Sequence, residues 1–197
     1  MQRGNLEAAA ARYTYLRGLF GIPLGVLIIL VALVNWGACP LWAFPGAVAA
    51  AGAACLPIAR YYNANYGRIT PSAGQQARGA VAAVIGVAVL AGVWLLLRGR
   101  ADWSLDLPVN AFAVAWALFM LISCAIYVGF RAHHVIIWGA LLVAGALPVW
   151  HGEDPTSIGL VLAGAAVMMS GVFDHRLLVR TFGPPGPLDR EDSDVGA

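Results

Sequence analysis

Six stretches of this chain, at about 19–36, 41–58, 79–97, 108–130, 135–150 and 157–173, contain no Asp, Glu, Arg or His. Each is long enough, or in the case of the short fifth nearly long enough, for a helix to cross the hydrocarbon core of a bilayer. Backbone polar groups cannot stay unpaired in hydrocarbon, and the apolarity here is continuous rather than alternating, so helices are expected and barrel strands are not. The expected fold is all-α: a polytopic membrane protein with six transmembrane helices in a compact bundle over residues 1–182. Composition agrees, since 60% of residues are hydrophobic and 11% charged, against about 25% charged in a soluble domain. The remaining segment 183–197, GPPGPLDREDSDVGA, reads as a disordered, acidic, Pro/Gly-rich cytoplasmic tail.

Orientation follows from the basic residues, which short cytoplasmic loops retain. Arg3, Arg12 and Arg17 precede the first run, Arg60, Arg68 and Arg78 separate the second from the third, Arg131 separates the fourth from the fifth, and Arg176, Arg180 and Arg190 follow the sixth. Only Arg98 and Arg100 fall on alternate connections. Both termini are therefore expected in the cytoplasm, with the chain in a bacterial inner membrane. Trp36, Trp42, Trp94 and Trp150 fall at the expected outer ends, and Tyr13, Tyr15, Tyr61, Tyr62, Tyr66 and Tyr127 toward the inner ends, as interfacial anchors do. The sequence Gly37-Ala38-Cys39 resembles a lipoprotein cleavage site, but Trp36 stands where a smaller aliphatic residue is needed, so an uncleaved first helix is expected.

Small residues four apart let helix backbones approach. Gly21 and Gly25, Gly46 and Ala50, Ala82 and Gly86, Ala140 and Ala144, and Gly159 and Ala163 provide such pairs. Packing within one bundle is the expected use, with homo-oligomerisation through one such face as the alternative.

Several chemistries are excluded outright. All twelve basic residues are Arg, so no lysine is available for a Schiff base or a P-loop. Cys39, Cys55 and Cys124 are too far apart for CxxC chemistry. No HExxH motif occurs, and Ser170-Gly171 follows Met168 where a rhomboid-type GxSG needs glycine. No apolar run holds the buried charge that ion-coupled transport uses. Asn35, Asn110, Ser123, Cys124, Tyr127 and Ser170 are instead expected to make hydrogen bonds between helices.

Ligand chemistry is confined to the ends of the runs. His133-His134 and Asp174-His175-Arg176 could bind a metal or relay protons if folding brought them together. Adjacent histidines diverge on a helix and HxxxH spacing is missing, so neither a metal site nor a catalytic site is expected, nor any cofactor. His151-Gly152-Glu153-Asp154-Pro155 reads as a turn. The stretch Arg60–Arg78 is expected to be the longest cytoplasmic loop, with Tyr62, Tyr66 and Arg68 as candidate anchors for a protein partner.

The leading expectation is thus a non-enzymatic accessory or anchoring subunit, with membrane lipids and a cytoplasmic protein as partners and no nucleic acid. In size and topology the chain resembles the substrate-binding subunits of energy-coupling-factor transporters, which makes a solute-binding or transporting subunit the alternative. An interfacial lipid-modifying enzyme using His133, His134, Asp174 and His175 is the third reading.

Overall fold

The computed structural model describes residues 16–67, 109–125, 131–148 and 155–184, together with Tyr13, Gly74, Ala77 and Val81. Among the described residues every regular element is helical. A 3-10 turn, Gly18–Phe20, leads into α1 (Gly21–Asn35), followed by α2 (Ala43–Tyr66), α3 (Ala111–Ser123), α4 (Ala132–Ala146) and α5 (Pro155–Phe182). The segment Gly18–Asn35, α2 and α5 have the length and apolarity to cross a membrane, while α3 and α4 are shorter apolar helices. Large apolar side chains such as Leu41, Trp42, Leu56, Ile136 and Val143 face outward, a surface suited to lipid. Apart from Val81, the third apolar run lies outside the described residues, as do Arg68 and the tail beyond Pro184.

Helix boundaries depart from the apolar runs in one consistent way. α2 continues through Arg60 to Tyr66 and ends at Gly67, whose φ of 82° is a conformation that suits glycine. The stretch expected to be a loop from Arg60 therefore begins as two helical turns. α5 starts with proline at its first position, where the missing N–H costs nothing, and runs to Phe182, carrying Asp174 and His175 inside the helix. α4 begins at Ala132, so both histidines are helical, and it ends before Leu147, whose extended backbone precedes Pro148. Apolarity stops at the first charge, but a helix continues while its polar side chains find partners.

α1 and α5 run antiparallel with their backbones in contact. A Cβ on Gly164 would fall 2.6 Å from the Gly25 carbonyl oxygen, and one on Gly21 would fall 3.0 Å from that of Val167. Gly18 and Gly171 meet in the same way one turn further along. The pair Gly21 and Gly25 thus serves packing inside the chain. Among the described residues Gly46 and Ala140 do not pack in this manner: none of them lies near Gly46, Ala140 is exposed, and Gly145 is the α4 glycine pressed against Ala113 and Val114 of α3. Trp138 fills the space between α3, α4 and α5 with Ala113, Ala117, Leu141 and Ala163.

One end of the bundle is tied by Asn110. Its side-chain oxygen accepts from the Ala113 N–H (3.0 Å), capping α3, its backbone N–H donates to Gly145 (2.8 Å), and its amide donates to the carbonyl of Pro155. This buried asparagine joins α3, α4 and α5, the interhelical role expected of it.

Candidate functional site at the polar end of the bundle

The opposite end gathers the chemistry. Arg17 precedes the 3-10 turn, Tyr61, Tyr62 and Tyr66 occupy the last turns of α2, Cys124 follows α3, Arg131 to His134 open α4, and Asp174 and His175 lie on α5. Successive residues on a helix are about 100° apart, so Asp174 and His175 face different neighbours, and two separate constellations result.

The first centres on Asp174. Its Oδ1 accepts from Arg131 Nη1 at 2.8 Å and lies 3.0 Å from His133 Nε2, while its Oδ2 lies 3.2 Å from His134 Nε2. Arg131 is extended (φ −113°, ψ 148°), which lets its side chain reach across to α5 before the helix starts. His133 and His134 follow in the first turn, their ring centroids 4.2 Å apart. The expected divergence of neighbouring histidines does not separate them here, because a carboxylate has two oxygens and sits between the two rings. His134 is 2% exposed and Asp174 9%, and the Cys124 thiol neighbours the His134 ring. A carboxylate this deeply placed is stable as an anion only with hydrogen-bonding or cationic partners, and Arg131 supplies a permanent positive charge.

The second constellation holds His175. Its Nδ1 lies 3.2 Å from the Tyr62 hydroxyl, which accepts from the Leu19 N–H at 3.1 Å. The Tyr13 hydroxyl donates to the Tyr62 carbonyl at 3.1 Å, and Arg17 lies over the Tyr13 ring at 4.7 Å while bonding Asn63 Oδ1 at 3.3 Å. Tyr13 and Tyr62 are buried, with Phe20, Tyr61, Tyr66 and Leu178 around them. These two tyrosines therefore pack inside the molecule, contrary to the anchoring role at a membrane interface expected from their position. Their stems are apolar, and their hydroxyls find partners on other elements.

The candidate anchors from the sequence are distributed accordingly. Tyr62 is fully buried and offers no surface; Tyr66 is half-buried, its hydroxyl 3.4 Å from the Gly183 carbonyl it donates to; Arg68 lies outside the described residues. Of the four chemically active residues considered together, His133, His134 and Asp174 meet, while His175 joins the tyrosines. The signal missed was Arg131: a fixed cation three residues before His134 marks where a buried acid from another helix can dock. Comparison with protein families, with curated proteins and with solved structures finds no match for this chain.

Proposed function

We propose that the chain is a non-enzymatic six-pass protein of a bacterial inner membrane, an accessory or anchoring subunit that holds a protein partner on the cytoplasmic side. The observation that carries this reading is the backbone contact of α1 with α5 through Gly25 and Gly164. Two helices locked this closely, and tied to the rest by Asn110 at one end and Asp174 at the other, form a stiff body suited to anchoring rather than one that rocks. Six passes are supported by the ends of the described elements. α2 finishes beside His175 and α3 begins beside Pro155, so the connection between them joins opposite ends of α5.

With Tyr62 inside the molecule, the docking segment narrows to residues 68–78, which carry Arg68 and Arg78. Replacing 68–78 by a Gly/Ser linker of equal length is expected to abolish co-purification of the partner recovered with the wild type while membrane insertion is unchanged. Full recovery of that partner with the linker variant contradicts the reading.

A second reading is favoured by one observation. Leu19, Pro23, Val26, Ala47, Ala51 and Ile58 line a wholly apolar groove of about 440 Å³ between α1 and α2, within the size range of small-molecule sites. A solute-binding subunit would use it for an apolar ligand, and a stoichiometric apolar compound extracted from the purified protein would favour this alternative over the first.

A further inference from the structure

We infer that His133, His134 and Asp174 form a binding site for a divalent transition metal of the zinc or cobalt type. One donor atom from each of the three residues lies within 4.8 Å of the others. Zinc bonds of about 2.0–2.1 Å in tetrahedral geometry separate ligand atoms by about 3.3 Å. The imidazole nitrogens lie 3.0 Å from Asp174 Oδ1 (His133) and 3.2 Å from Asp174 Oδ2 (His134), so the donors are already gathered near that spacing, and loading requires side-chain rotations that turn one carboxylate oxygen and both rings toward a common centre.

Donor chemistry selects the metal. Two imidazoles and a carboxylate suit zinc, cobalt or nickel, whereas magnesium and calcium prefer oxygen ligands throughout. Three protein ligands leave a fourth position for water or another small ligand, the pattern of an open zinc site. The residues come from two helices, and His134 is buried one turn from the buried Trp138 on α4, which gives the site one enclosed side.

Arg131 sets the condition for loading. Its guanidinium holds Asp174 Oδ1 in the metal-free arrangement, and a cation of charge two must displace it. Arg131 and Asp174 keep side-chain exposures of 16% and 12%, so the guanidinium has a route to solvent once released. The metal-free cluster is therefore a closed hydrogen-bonded latch that a metal opens on the arginine side.

The test uses the full-length protein in detergent, stripped with chelator and titrated with Co²⁺, then with Zn²⁺ in competition. The wild type is expected to take up one equivalent with the visible absorption of a four-coordinate cobalt–imidazole site. His133→Gln, the more exposed of the two histidines, should weaken binding at least ten-fold. Arg131→Gln should tighten it, an outcome that damage to folding cannot mimic. His175→Gln, which alters the neighbouring residue but faces Tyr62, should bind as the wild type does. A wild type that binds no cobalt, or binds it no more tightly than His133→Gln, overturns the inference and leaves the cluster as a structural latch. Equal weakening by His175→Gln overturns it as well, by locating the metal elsewhere.

Discussion

Asp174 is a junction between α4 and α5, because three side chains from another segment converge on its two oxygens. Asp174→Asn keeps the shape but removes the charge opposite Arg131. Breaking a buried pair by neutralising one partner costs about 3–5 kcal/mol, with the lower end fitting the partial exposure here. Thermal unfolding in detergent should show that loss, and an unchanged midpoint would mean that the pair is solvated. Tyr62→Phe removes a single acceptor from the Leu19 N–H and a contact with His175, so about 1–2 kcal/mol is expected in the same assay. Asn110 was legible in the sequence as a polar residue bound to serve packing. Its partners Gly145 and Pro155 were not, since they are backbone groups on helices remote in sequence. The Asp174 cluster was legible only as a list of residue types. Residue spacing says that His133 and His134 diverge along their own helix, and it says nothing of an acid on another helix that can bridge them.

At the scale of helices, glycine position decides which pairs touch. Gly25→Ala and Gly164→Ala each put a methyl group into the facing helix, and overpacking of this kind costs about 1–3 kcal/mol. Gly46→Ala and Gly52→Ala meet open space in the described structure and should leave stability unchanged or raise it by up to about 1 kcal/mol, since alanine is the better helix former. Unfolding titrations on the four variants distinguish these outcomes, and equal effects at all four would remove the close crossing of α1 and α5. The small-residue pattern pointed correctly to Gly21 and Gly25, but it also flagged Gly46 and Ala140, which make no such contact among the described residues. A pattern gives the capacity for close approach, and a facing backbone, such as that at Gly164, Val167 or Gly171, uses it. Helix lengths were misjudged for a related reason: the two extra turns of α2 and the last turns of α5 pack their polar residues against each other through Tyr62 and His175.

For the molecule as a whole, the apolar runs sufficed to give an all-α fold among the described residues, with helices long enough to cross a membrane. They sufficed because hydrocarbon restricts backbone structure far more than water does. Sidedness rests on the arginines alone, and the two ends of the bundle differ in kind, one tied by an asparagine and the other by a cluster of Arg, His, Asp and Tyr. The proposal of six passes with this second end in the cytoplasm is tested most directly by reporters fused after successive positions. Fusions after Trp36, Trp103 and Gly152 should be active only as extracytoplasmic reporters, and those after Gly74 and Pro185 only as cytoplasmic ones. Reversal at any one of the five sites contradicts the six-pass topology and removes the basis for a partner docked on the cytoplasmic side.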